Sequence, residues 1–403
     1  MTDKPSPDPG ASQRACWSAV GAMTMCVALL IASEFMPVSL LTPIANDLGA
    51  TQGMAGQAIS ISGLFAVVAS LCIATAAGRF DRRHVLVALT ALMLASLVLI
   101  AAAPNFPVLM VARALLGIAV GGFWALATAT IMRLVPRQAV PKALGLMYMG
   151  NAVATAFAAP IGSYLGGVIG WRGVFWVLVP LAVANLAWLW ASIPALPATQ
   201  AMPLRRVLAL LKRRNVAMAM LGVMLSFGGA FATFTYLRPF LETETQATVP
   251  QLSLLLLALG VAGFLGTHAA TALLGRHLYR MLRLLPVALA MVTLAMLVAG
   301  SALWPMAFMM AAWGTLNSAM PVSWSNWLAV GVADEPEGGG GLMVAAIQLA
   351  IMLGASFGGF LLDQFSITAT FVGGAALLLL AASVPTAPPA ARRPARRIHE
   401  CAS

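Results

Sequence analysis

The sequence predicts an all-α integral membrane protein of twelve transmembrane helices arranged as two pseudo-symmetric six-helix bundles. Three observations carry this. Of 403 residues, 61% are hydrophobic and only 9% charged, against about 25% charged in a soluble chain. The mean hydropathy of +0.92 is spread along the whole length. The apolar runs are continuous, whereas barrel strands alternate apolar and polar residues, so a transmembrane β-barrel is excluded. At about 20 residues per span and short connections, roughly twelve spans fill the chain and leave no sizeable soluble domain.

The spans are expected near 17–44, 57–78, 85–103, 108–134, 143–168 and 174–193, then 216–240, 252–275, 282–303, 305–330, 342–362 and 367–384. This divides the chain into a disordered tail (1–16), an N-terminal bundle (17–193), a linker (194–214), a C-terminal bundle (215–386) and a basic tail (387–403). The first apolar run is too long for a signal peptide, so span 1 is expected to be retained. The linker holds three prolines and five basic residues. A weak repeat at a shift of 196 residues relates Ala159, Gly162, Leu165 and Phe175 to Ala355, Gly358, Leu361 and Phe371, and Pro43 to Pro239. Two parallel six-span halves around a central cavity follow from it.

Charge tests the topology independently. The tails and even-numbered connections hold 20 of the 23 Lys and Arg residues; Arg172 and Arg238 fall on the other side, and Arg113 lies inside span 4. Both termini are therefore expected in the cytoplasm of a bacterial inner membrane. One even-numbered connection, with Asp334, Glu335 and Glu337, has no base, but acids weigh little in this rule. The net charge of +11 is a topology signal: the bases sit in small clusters between spans, without interleaved surface aromatics, and nucleic acid is not expected as a partner.

Enzyme chemistry finds no support. Cys16, Cys26, Cys72 and Cys401 lack CxxC spacing, His84, His268, His277 and His399 lack metal-ligand spacing, and no phosphate-binding Gly-x-x-x-x-Gly-Lys loop occurs. No metal and no cofactor is expected, which leaves an ion gradient as the energy source. The Gly354–Ala–Ser356–Phe–Gly358 run matches a hydrolase elbow, but that motif needs a strand-turn-helix setting and here lies within an apolar helix.

Polar residues deep in membrane helices are costly and point to function or to a paired structural role. Glu34 in span 1 and Arg113 in span 4 lie at similar depth, roughly 8 to 15 Å below the outer surface. They are expected to meet, either as a proton-coupling site or as a permanent ion pair. Asp81 and Arg82, between spans 2 and 3, are expected to latch a cytoplasmic gate, flanking charge being the plainer alternative. Gly117, Gly121 and Gly122, with Gly162, Gly166 and Gly167 and with Gly354, Gly358 and Gly359, have small-xxx-small spacing for close helix packing.

Asp81–Arg82 after span 2, Arg113 with Gly117, Gly121 and Gly122, and Pro160-x-Gly162 with Gly166 resemble the signature motifs of the major facilitator superfamily, in its twelve-span drug:proton antiporter branch. His84 and Ala159 depart from that pattern, each standing where the motif has glycine. Glu34–Phe–Met–Pro37–Val–Ser39, Gly121–Gly–Phe123–Trp124–Ala125 and Pro321–Val–Ser–Trp324–Ser325 resemble the bacterial purine ribonucleoside exporters. The resemblance implies proton-driven efflux of a small solute by alternating access, in a monomer embedded in the lipid bilayer. A purine nucleoside needs stacking surfaces and a few amide or hydroxyl partners. Trp124, Trp324 and Tyr236 offer the first, and Gln348, Gln57, Asn151 and Ser325 the second, with core packing the alternative for each aromatic.

Overall fold

A computed structural model describes residues 9–76, 80–197, 204–332 and 334–384. The expected tail positions 1–8 and 387–403 and the linker's middle, 198–203, lie outside them. No strand occurs among the described residues. The helices are α1 (Pro9–Ser39), α2 (Leu41–Leu48), α3 (Gln52–Ala76), α4 (Arg82–Ala101), α5 (Phe106–Leu134), α6 (Val140–Ser192) and α7 (Leu204–Ala209). They continue with α8 (Arg214–Thr235), α9 (Leu237–Thr243), α10 (Val249–Ala299), α11 (Leu303–Gly331), α12 (Pro336–Gln364) and α13 (Ile367–Ser383).

α6 and α10 run to 53 and 51 residues, about 80 Å if straight, against a hydrocarbon core of about 30 Å. Each is broken once. Gly170 takes φ 73°, ψ 161°, which only glycine adopts freely, and His277 leaves helical geometry at φ −137°, ψ 23°. With these two breaks the ten long helices become twelve segments, in the places that hydropathy predicts. α1 begins at Pro9, ahead of the expected start at Trp17. Proline suits a first helical turn, where its missing N–H costs no bond.

The described residues form one buried cluster within the first half, including Met23, Leu30, Phe123 and Phe175. Two more lie mainly in the second half, around Phe240, Trp313 and Phe371, and around Trp324 and Trp327. Between the halves α3 packs on α12 and α6 on α10. The repeat appears in the backbone itself. Leu40, between α1 and α2, has φ −115°, ψ 8°; Tyr236, between α8 and α9, has φ −106°, ψ 18°. They are 196 residues apart. Pro43 and Pro239 are each the third residue of the short helix that follows, and each removes a donor to the helix before it. Gly162 packs over Met36 and Gly358 over Ala232, the same contact at the same shift.

Two ends of the bundle are distinguished below. The linker end carries α7 and the α3–α4 turn; the distal end carries α2 and α9.

Candidate functional site

Arg113 is fully buried, and it binds carbonyls. Its Nε donates to Ala58 O at 2.8 Å, Nη1 to Ser33 O at 2.8 Å and Nη2 to Glu34 O at 3.2 Å. Pro37 explains the acceptor: without an N–H it cannot bond the carbonyl four residues back, which is that of Ser33. This corrects the expected ion pair, because among the described residues no N–O contact within 4.0 Å joins Arg113 to the Glu34 carboxylate. Main-chain oxygens use the guanidinium first.

The Glu34 carboxylate turns to the other half. Gln348 Nε2 of α12 donates to Glu34 Oε1 at 3.2 Å, with both side chains buried. About two turns along α12, Ser356 Oγ lies 3.2 Å from Gln57 Oε1 and 3.0 Å from Ser60 Oγ of α3. So three of the sequence candidates, Glu34, Gln348 and Gln57, share the seam between the halves.

The seam continues to the distal rim. Asp363, the last acid of α12, accepts from Thr51 Oγ1 at 2.6 Å and from Gly53 N at 3.1 Å, and so caps the first turn of α3 from the opposite half. Arg238 donates to Ser39 O, the carbonyl for which Pro43 has no N–H, and pairs with Glu242 at 2.7 Å. Thr42 Oγ1 donates to Glu242 at 2.5 Å. The signal was present in the charge count: Arg238 and Arg172 are the two bases on the unexpected side. Arg172 pairs with Asp47, whose carboxyl it holds below the usual range.

Asp81 caps α4, accepting from Arg83 N at 2.8 Å, and it also accepts from Leu196 N at 3.0 Å, while Arg82 N donates to Leu196 O at 3.1 Å. Burial opposes its charge, but the two backbone donors and the nearby His84 and Arg83 hold its carboxyl below the usual range. Arg83 donates to Trp190 O and lies over the Trp190 ring. These contacts stay within the first half and tie the start of α4 to the segment after α6. Facing the linker, Arg213 pairs with Asp334 at 2.7 Å, which raises the Arg213 pKa.

The other solute candidates divide. Trp324 is 2% exposed and fills a slot that Gly222 leaves on α8, so it packs inside the second half. Tyr236 is fully buried; its hydroxyl donates to Ala355 O at 2.8 Å, in a space that Gly56 and Gly359 keep free of side chains. Neither offers a ring face to a solute here. Ser325 is exposed on α11, one heptad from Ser318, which packs against Gly263 of α10. Trp124 is half-buried and stacks on Tyr148, with ring centroids 6.0 Å apart and planes at 27°. Asn151, half-buried, lies one turn further along α6.

The family model of the Major Facilitator Superfamily matches residues 23–339 of the chain. The chain belongs to the major facilitator superfamily. It is 48% identical over 376 residues to the transcription regulatory protein OpdE of Pseudomonas aeruginosa, covering 92% of this chain and 93% of OpdE. It is 40% identical over 371 residues to the purine ribonucleoside efflux pump NepI of Salmonella typhimurium, covering 92% and 94%. Among solved structures, the nucleoside transporter NupG superposes with a TM-score of 0.75 at 12% identity, over 90% of this chain and 98% of that one. That last likeness is one of fold. Membership makes the chain a multi-pass membrane transporter of a small solute, as the signature residues had suggested.

Proposed function

We propose that this transporter exports purine ribonucleosides, inosine- and guanosine-like, in exchange for protons across a bacterial inner membrane. Both termini and the linker lie on the cytoplasmic side, and the protein acts as a monomer. One observation carries the coupling: the buried Glu34 carboxylate of the first half takes its hydrogen bond from Gln348 of the second. Adding a proton to Glu34 changes a contact across the very boundary that must part for alternating access. With the distal end facing outside, the contacts of Arg238 and Asp363 there hold the outer mouth closed. The 40% identical NepI relative supports the nucleoside as solute.

The test is uptake of labelled inosine into inverted vesicles under an imposed pH gradient, with sugars, drugs and amino-acid derivatives in parallel. Gradient-driven accumulation of inosine supports the reading. Accumulation of another class instead replaces the solute, and equilibration without accumulation replaces the pump by a passive channel. The name of the OpdE relative favours a second reading, in which the exported solute is itself an inducer and the chain alters transcription by lowering its concentration. Deleting the gene and restoring the solute externally should then produce the same transcript profile.

A further inference from the structure

The first half of α6 has three faces, and they are used differently. Gly150 and Gly162 pack over Thr24 and Met36 of α1. Val153, Phe157 and Ile161 are 42–49% exposed and form an apolar stripe toward lipid. The third face carries Gly145, Tyr148, Thr155 and Ala159. At about 100° per residue Tyr148 and Ala159 are only about 20° apart around the helix, whereas Tyr148 and Phe157 are about half a turn apart.

Ala159 is 6% exposed and buried in the core of the second half, so this face points at the boundary between the halves. Eleven residues nearer the linker end the same face is uncovered. Tyr148 is 49% exposed, and nothing lies within 4 Å of where a Gly145 side chain would be. The Tyr148 ring thus lies on the side of α6 that faces the boundary between the halves, about 12 Å along the helix from its start. Trp124, on the Arg113 face of α5, backs it. One ring face of Tyr148 is occupied by Trp124, and the side chain is half-exposed.

Resting on the solute reading above, we propose that Tyr148, braced by Trp124, is the stacking platform for the planar ring of the transported solute. A flat heteroaromatic gains most from a ring already held in place, since no side-chain freedom is then lost on binding. Asn151 and Thr155, one and two turns along the same side of α6, present an amide and a hydroxyl to the ring edge or the sugar. Thr155 Oγ1 donates to Asn151 O, which leaves its oxygen as an acceptor.

The test is equilibrium binding to the purified full-length protein, using inosine and, as a flat ring without a sugar, ethidium. Tyr148→Phe should bind both within threefold of wild type, and Tyr148→Leu should weaken both by tenfold or more, in the range of single-base stacking. Val153→Leu on the lipid stripe serves as the control for folding and should change neither. Tyr148→Leu binding both probes like wild type overturns the proposal, as does a wild type that binds neither. If wild type binds ethidium alone and Tyr148→Leu loses it, the platform stands and the nucleoside reading falls.

Discussion

The Arg113 guanidinium occupies the hydrogen-bonding position on α1 that Pro37 cannot fill, 2.8 Å from Ser33 O. Removing Arg113 strands that carbonyl, and a buried unsatisfied group costs about 1–3 kcal/mol. Pro37→Ala returns an N–H to the helix. Arg113→Ala should therefore lower thermal stability in detergent strongly, and adding Pro37→Ala should recover part of the loss. Simple additivity of the two changes would disconnect the residues.

Glu34→Gln keeps an acceptor for Gln348 while removing the titratable proton. Inverted vesicles carrying it should lose gradient-driven inosine uptake, with counterflow of the solute retained. Full gradient-driven uptake by this variant would move the coupling site elsewhere along the seam.

At the linker end, Asp81→Asn should slow transport and leave insertion into the membrane unchanged. The pH dependence has a definite sign. A carboxyl held below its usual value contributes fully above about pH 4 and loses its contribution as pH falls through the lowered value. Wild type should soften on acidification below about pH 4, and the part of that slope due to Asp81 should be missing in Asp81→Asn. Identical acid limbs in both proteins would sink the assignment.

Arg238→Ala leaves Ser39 O without its donor and Glu242 without its ion pair. The variant should populate the outward-open state more, so that a cysteine placed at Thr42, in a background with Cys16, Cys26, Cys72 and Cys401 replaced by serine, is labelled faster from the distal side. Unchanged labelling would show that the rim does not hold the gate.

Much of this was legible in the sequence. Continuous apolar runs located the segments. The interruptions at Leu40 and Tyr236 were missed, because the expected spans 17–44 and 216–240 run through them, although the paired Pro43 and Pro239 each remove a donor there. The cost of burying Glu34 marked it out. Its partner was not legible, since the donor to its carboxylate lies 314 residues away and the guanidinium nearby was already engaged by main chain. The aromatics failed for a related reason. Whether an indole lines a space or fills a slot depends on a glycine of another helix: Gly222 for Trp324, Gly56 and Gly359 for Tyr236. Arg172 and Arg238 broke the charge rule, and in hindsight an exception of that kind is a request for a nearby acid.

The cap that Asp363 places on α3 sets an order of events. The N–H of Gly53 and the hydroxyl of Thr51 lie at the rim, where arriving water takes over each bond as it is released, so this contact can part at little cost. The amide of Gln348 has no such substitute at hand while Glu34 remains enclosed. On the coupling proposed above, wetting advances inward from the rim, and the carboxylate meets the external proton only after the outer bonds have been exchanged. The seam then works as a graded valve, in which hydration of its mouth precedes the arrival of charge at its centre.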